Sequence, residues 1–185
     1  MARDCPPIWQ IVPATAAMLP DILELEEACF SAPWTRKMLE AELTGNQFAR
    51  FLVATVQQES ESPVRTVVGY HCFWIVFEEL RLMNLAVHES MRGRGIGRAL
   101  ATEAIGLGLA HAATRAVLEV RASNEPAQCL YRQLGFASIS TRRSYYTNPI
   151  EDALLMEMDP LVAPAGLRHA RVMIGGEGSI PTELT

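Results

Sequence analysis

Residues 79–100 constrain this chain more than any other stretch, because they join a strand to a helix through a run of glycines and arginines broken only by Ile96. Residues 80–87 place apolar side chains at Leu80, Leu82 and Leu85, Ala86 and Val87, and read as a strand. His88, Glu89, Ser90 and Met91 make a short turn. Arg92, Gly93, Arg94, Gly95, Ile96, Gly97 and Arg98 follow, and Ala99, Leu100, Ala101 and Ile105 continue at helical spacing. Glycines at such a turn let the backbone come close to a ligand, and the unpaired N–H groups of the first helical turn point outward at it. With the helix dipole this makes an anion site suited to a phosphate or pyrophosphate. Three arginines in one turn add fork-shaped donors for phosphate oxygens.

Two familiar phosphate motifs do not fit. A dinucleotide fingerprint needs G-x-G-x-x-G, which the glycines at 93, 95 and 97 do not supply. A P-loop needs lysine and then serine or threonine after its last glycine, and Gly97 is followed by Arg98. What remains is Arg-x-x-Gly-x-Gly, carried by Arg92, Gly95 and Gly97. The bland alternative is a glycine-rich connection between two core elements.

A chain of 185 residues, 49% of them apolar, suits one domain with an ample core. The net charge of −5 argues against a general nucleic-acid binder and permits a basic partner such as an arginine-rich peptide tail. Cys5, Cys29, Cys72 and Cys129 are scattered without metal-ligand spacing, so neither a zinc site nor a disulfide framework is expected. Reduced thiols and a cytoplasmic location follow as the expectation. No secretory signal is visible at the N-terminus, and no run of about 18 apolar residues points to a membrane span.

In chain order, residues 8–12 read as a first strand, and Thr15 as the cap of a helix ending near Phe30. Ile22, Leu25 and Cys29 form its apolar stripe, with Glu24, Glu26 and Glu27 expected to face water. The link through Pro33 and Trp34 breaks that helix, and Thr35 caps a second one carrying Met38, Leu39 and Leu43. Residues 48–56 and 64–77 are β-rich, separated by a polar turn at 57–63. The glycine-opened helix is expected to run to about Ala112, weakened by Gly106 and Gly108. Residues 116–121 form a strand, and Asn124 caps a helix that Gly135 ends. Residues 136–145 and 152–158 close the sheet around a turn at Thr147, Asn148 and Pro149. The fold class is α/β (α+β): a mixed central sheet of about six to seven strands with helices on both faces, in the order β-α-α-β-β-β-α-β-α-β-β. Residues 1–159 form the domain, and 160–185 a flexible or weakly docked tail.

Chemistry-bearing residues gather after the glycine turn. Asn124 and Tyr131 lie seven residues apart, so a helix puts them on one face about 10 Å apart, able to track an extended ligand. Equally, Asn124 serves as an N-cap and Tyr131 as a half-buried aromatic with a wet hydroxyl. Glu119 alternates with Leu118 and Val120 and lies on the opposite strand face, where a carboxylate more often meets water than acts as a base. Cys129 reads as packing, since no histidine accompanies it.

The Arg-x-x-Gly-x-Gly run resembles the acetyl-CoA motif of the GNAT N-acetyltransferases. LEVRASN (118–124), LYRQLGF (130–136), RRSYY (142–146), EDALLMEMD (151–159) and FSAPWTRKML (30–39) resemble, in the same order, the bacterial ribosomal-protein-alanine N-acetyltransferases of the RimI type. This resemblance implies a GNAT fold and acetyl-CoA as cosubstrate, with no metal. Leu85, Ala86 and Val87 would contact acetyl-CoA through backbone groups, and Gly93 to Arg98 would wrap its pyrophosphate. Asn124 would hydrogen-bond the pantetheine, with Glu119 as general base and Tyr131 as general acid. The acceptor peptide would lie near Pro33, Trp34, Tyr145, Tyr146 and Asp152, although Trp34 and Tyr145 serve equally well as packing aromatics. Arg92 stands where many relatives carry glutamine, and His88-Glu89-Ser90 replaces an acidic-proline turn.

The activity implied is acetyl transfer to the N-terminal amine of a protein, with the alanine of small-subunit ribosomal protein eighteen as the expected target. An α-amine with a pKa near 8 asks only a modest base, whereas a lysine near 10.4 asks more. The competing readings are a GNAT enzyme acting on lysine or a small amine, and a non-catalytic acyl-CoA-binding module, which retention of Glu119 and Tyr131 disfavours. The resemblance further implies a ribosomal protein as partner and a complex with tRNA-modification proteins, as for some relatives, with no direct nucleic-acid or membrane binding.

Overall fold

The chain runs β1 (Trp9–Pro13), α1 (Leu19–Cys29), α2 (Arg36–Glu40), β2 (Ala49–Gln57), β3 (Arg65–Val76), β4 (Glu79–Val87), α3 (Ile96–Ala110), β5 (Arg115–Arg121), α4 (Glu125–Leu134), β6 (Ala137–Thr147) and β7 (Ile150–Met158). The computed structural model describes residues 9–57 and 65–164. The polar turn after Gln57 and the tail beyond residue 164 lie outside the described residues. The strands join one sheet in the order β1-β2-β3-β4-β5-β7-β6. Every pairing is antiparallel except β4 with β5. Among the described residues, no helix is long and apolar enough to cross a membrane.

Both sheet faces are covered. In β2 the alternation sends Phe51 and Val53 to the α1 side, and Leu52 and Ala54 to the α3 side. The larger core joins Phe73, Leu80, Leu82, Ile96, Leu100 and Leu118 beneath α3 and α4. The smaller one joins Ile22, Leu25, Leu39, Val53 and Tyr70 beneath α1 and α2. Full burial of such side chains stabilises the fold by about 1.5–3 kcal/mol each. A Cβ at Gly108 would stand 3.0 Å from Leu80 Cδ2. That glycine therefore lets α3 sit close against β4, which compensates its weak helix propensity.

Three local readings are corrected. Thr15 makes no side-chain cap; residues Ala16–Met18 form a 3-10 turn and α1 starts at Leu19, because Pro20 is tolerated only in a first helical turn. Glu26 does not face water: it is fully buried, and Oε1 accepts hydrogen bonds from the Tyr70 hydroxyl and the Asn84 amide. It lies four residues after Ile22 and so shares the apolar stripe. Burial raises its carboxyl pKa, while the Tyr70 and Asn84 hydrogen bonds oppose that rise. Cys129 is exposed on α4 rather than packed, its Sγ accepting from Gln133 Nε2 at 3.4 Å.

The expected caps of the later helices are present. Thr35 Oγ1 accepts from Met38 N at 3.3 Å, and Asn124 Oδ1 from Ala127 N at 3.2 Å. Gly135 ends α4 at φ 107°, a left-handed conformation. After β7, Leu161 is buried and its N–H donates to Thr114 O at 2.6 Å, which docks the first residues past Pro160.

One irregularity shapes the centre of the sheet. His71 pairs with Leu85 and Phe73 with Leu82, so two steps along β3 meet three along β4. Met83 and Asn84 are the bulge, and both turn toward α1: Met83 into its core and Asn84 onto Glu26. Leu82 and Leu85 consequently share the opposite face despite their odd spacing. The β4–β5 pairing covers only Glu79–Arg115 to Leu82–Leu118 and stops where the bulge begins. Beyond it β4 continues to Val87 with β3 alone, and β5 to Arg121 with β7 alone. The two parallel strands thus lose contact along their C-terminal halves.

Candidate active site

The glycine turn sits on the α3 side of this opening. Gly93 has φ 74° and Gly95 φ 80°, values that residues with a Cβ rarely adopt. Gly95 is the N-cap of α3, and the first bond it closes is Ala99 N to Gly95 O at 3.0 Å. The N–H groups of Ile96, Gly97 and Arg98 therefore have no acceptor among the described residues. Three neighbouring donors at a helix N-terminus suit an anion. Of the three arginines, the exposed Arg92 folds back onto β4, its Nε donating to Val87 O at 3.0 Å, and Arg98 Nη1 donates to Gln133 Oε1 at 3.0 Å. Arg94 is exposed and has no partner among the described residues.

Leu85, Ala86 and Val87 form the free edge of β4 at the opening. Their outward backbone groups lack a strand partner there, apart from the Val87 carbonyl held by Arg92. Across the opening, Asn124 starts α4 and Tyr131 lies two turns further along it. Tyr131 is not a half-buried ring with a wet hydroxyl but is 7% exposed, packed edge-on against Phe136 at 5.7 Å. Burial, with Tyr146 adding to it, pushes its hydroxyl above the ordinary tyrosine range, so it keeps its proton.

Glu119 belongs to the other sheet face, which β5 shares with the α1 side. Its side chain is 12% exposed, and Oε1 lies 3.1 Å from Arg142 Nη1 and 3.7 Å from Arg81 Nη1. Oε2 has no partner among the described residues. Arg81 also pairs with Glu79 at 2.9 Å, and Glu79 with Arg115 at 2.8 Å, which makes a chain of ion pairs across β4, β5 and β6. Glu119 and Tyr131 thus start from opposite faces of the sheet, beside the gap between β4 and β5. Tyr146 interacts with both: its hydroxyl adds to the upward shift of Tyr131, and the Glu119 carboxylate adds to that of Tyr146. Burial raises the Tyr146 hydroxyl pKa, and the Arg121 guanidinium, 4.0 Å above its ring, opposes the rise.

The residues that the sequence reading expected near an acceptor peptide are placed as follows. Tyr145 is 48% exposed and stands 5.2 Å from Tyr146, edge to face. Pro33 is exposed, whereas Trp34 is half-buried against the α1 core. Asp152 Oδ1 accepts from Ser144 N at 2.8 Å and so supports the left-handed Ser144, φ 49°, in β6. Arg121 and Arg142 escaped the sequence reading. Arg121 was legible in part, because it lies two residues after Glu119 and must share its face. Arg142 reaches Glu119 only through the β5–β7–β6 order, which no local pattern reveals.

Known proteins resemble this chain in sequence and in fold. The model of the Acetyltransferase (GNAT) family matches residues 19–136. A Bacillus subtilis (strain 168) protein, provisionally named a ribosomal protein bS18-alanine N-acetyltransferase, is 36% identical over 135 residues, 73% of this chain and 85% of its own. The Escherichia coli (strain K12) ribosomal protein bS18-alanine N-acetyltransferase is 32% identical over 142 residues, covering 76% of this chain and 90% of its own. The crystal structure of the ribosomal-protein-S18-alanine N-acetyltransferase from Escherichia coli superposes with a TM-score of 0.72 at 27% identity, over 87% of this chain and 99% of that one. The chain belongs to the GNAT family of acetyltransferases, among its ribosomal-protein-alanine N-acetyltransferase (RimI-type) members.

Proposed function

We propose that the protein transfers acetyl from acetyl-CoA to the N-terminal α-amine of a protein, with the N-terminal alanine of ribosomal protein bS18 as its acceptor. The observation that carries this reading is the opening between β4 and β5, with an anion cradle on one sheet face and a half-anchored carboxylate on the other. Acetyl-CoA fits the first face. The Ile96, Gly97 and Arg98 N–H groups and the Arg94 guanidinium would take its pyrophosphate, while the free edge at Leu85–Val87 and the Asn124 amide would follow its arm. Bound acetyl-CoA supplies the acetyl group as a thioester.

The chain's own residues do the rest. Glu119 keeps Oε1 on Arg142 and leaves Oε2 to accept the amine proton, directly or through one water. A free N–H on the β4 edge would polarise the thioester carbonyl as an oxyanion donor. Tyr131, held protonated by burial, is suited to give its proton to the departing sulfur. The acceptor would approach past Pro33, Trp34, Tyr145, Tyr146 and Asp152. With the amine and thioester meeting through the sheet, no covalent enzyme intermediate is needed.

A mass-spectrometric assay tests this, offering an alanine-starting basic peptide beside an Nα-blocked peptide with one lysine. Acetylation of the first at its α-amine is the expected result. Acetylation of the lysine control alone would move the enzyme to the side-chain amine reading.

A further inference from the structure

Arg121, the last residue of β5, makes more polar contacts than any role assigned so far requires. Nη1 pairs with Glu151 Oε2 at 3.1 Å, while Nη2 donates to Ser31 Oγ at 3.1 Å and to Asn148 O at 3.0 Å. A longer contact of 3.5 Å joins Nη1 to Pro149 O, and the guanidinium lies 4.0 Å over the Tyr146 ring. Ser31 follows α1, whereas Asn148 and Pro149 form the β6–β7 turn, more than a hundred residues later. These two segments also bond to each other: Ser31 Oγ donates to Asn148 O at 2.7 Å, and Asn148 Nδ2 donates to Ser31 O at 2.9 Å. On the far side, Glu151 Oε1 accepts from Ser123 N at 2.6 Å; the Ser123 side chain first and this backbone bond second, both ahead of Arg121, hold its carboxyl below the usual range.

The result is an arch from the end of α1 to the β6–β7 turn, standing over the end of β5 on the face that carries Glu119. Beside the two bonds that its segments make with each other, one guanidinium on the sheet floor ties both of them down at once. An arginine suits this place because its planar fork serves several acceptors at once, which an ammonium cannot do in fixed geometry. Resting on the α-amine reading above, we propose that Arg121 is a positioning residue that sets acceptor selectivity, by holding the arch at the height that admits a chain end to Glu119. An α-amine arrives with its own main chain directly behind it, so its pose depends on the walls of the arch. An ε-amine arrives on a slim four-carbon stem and depends on them far less. Loosening the arch therefore penalises the α-amine selectively.

The test compares wild type, Arg121→Gln and Arg121→Lys with the alanine-starting peptide, the Nα-blocked lysine peptide and acetyl-CoA. Arg121→Gln is expected to raise the KM of the alanine-starting peptide by about tenfold, since misplacement of a reacting group by an ångström is that costly or more. The acetyl-CoA KM should stay within about twofold, and the α-amine to ε-amine ratio of kcat/KM should fall. Arg121→Lys should recover part of that ratio by keeping the charge on Glu151. Ser31→Ala, which leaves the fold's interior untouched, should move the ratio in the same direction by a smaller step, and it carries the test if the Arg121 variants fold poorly. An unchanged ratio in Arg121→Gln, or in Ser31→Ala where the former is unfolded, would overturn the proposal. So would equal losses on both acceptors. The wild-type ratio judges the α-amine reading by itself: an enzyme that prefers the lysine peptide ends that reading, while a variant-dependent KM for the lysine peptide would still expose the arch.

Discussion

Arg142 Nη1 stands 3.1 Å from Oε1 of Glu119, across an intervening strand, and leaves Oε2 free. A carboxylate held by one oxygen is oriented without being fully consumed, which a positioned base requires. Glu119→Gln should lower kcat by at least about a hundredfold, the lower end for a lost general base. Acetyl-CoA affinity, measured by calorimetry, should be unchanged. Arg142→Met should give a smaller loss in kcat, because Arg81 still reaches the same oxygen at 3.7 Å. Equal losses in the two variants would mean that the ion pair, not the free oxygen, is what activity needs.

Tyr131 offers a complementary test. Its hydroxyl is kept neutral by burial and has no hydrogen-bond partner among the described residues, so a departing thiolate would find it with its proton in place. Tyr131→Phe should lower kcat by about a hundredfold or more, with little change in thermal midpoint, since the ring and its contact with Phe136 remain. The alkaline limb of the wild-type rate profile should not contain a tyrosine of ordinary pKa. A limb near pH 10 that disappears in Tyr131→Phe would contradict the burial argument.

The glycine turn separates backbone need from mere habit. Gly95→Ala forces a Cβ onto φ 80°, at a cost of about 1–2 kcal/mol, and turns the first-turn N–H groups off axis. Gly97 has an ordinary helical φ, and a Cβ there would meet Leu85 Cδ2 at 3.5 Å, an ordinary contact. Gly97→Ala should therefore fold at least as well as wild type, gaining up to about 1 kcal/mol of helix propensity. Acetyl-CoA KM should rise about tenfold or more in Gly95→Ala and much less in Gly97→Ala, if backbone donors hold the pyrophosphate. Initial-rate kinetics with varied acetyl-CoA would decide.

What was legible in the sequence was what local chemistry dictates. The glycine turn, the Thr35 and Asn124 caps and the Gly135 stop are set by a few neighbouring residues, and each stands where its pattern placed it. The element order followed from periodicity. Glu26 was misread although its position was readable: helical spacing puts it in the stripe, but a carboxylate is assigned to solvent unless Tyr70 and Asn84, far along the chain, are known to meet it. The β4 bulge was not legible at all, because an extra residue shows itself only once β3 is paired beside it. The same holds for Arg142 and for the arch around Arg121, which exist only through long-range topology. Local pattern thus located the glycine turn and the helix caps, while the surroundings of Glu119 and Arg121 were assembled by the fold.

His71 predicts the acid behaviour of the whole domain. It is fully buried in β3, its ring 5.3 Å from Phe73, with Nδ1 only 3.4 Å from Leu100 O and Nε2 unpartnered among the described residues. Burial lowers its pKa from 6.5 to about 4, so the folded protein holds it neutral where the unfolded chain would take up a proton. Between those two values the unfolded state binds more protons, and stability must fall as pH falls. The loss is about 2 kcal/mol at pH 5 and approaches about 3 kcal/mol near pH 4, at roughly 1.4 kcal/mol per pH unit. Glu26 acts in the opposite sense over its own window, since its raised pKa lets the folded state bind a proton earlier than the unfolded chain. Comparison with His71→Leu isolates the histidine, because Glu26 is common to both proteins. Urea midpoints measured at pH 7.5 and pH 5 should show wild type losing markedly more stability than His71→Leu. A parallel decline in the two would place the acid sensitivity elsewhere in the core.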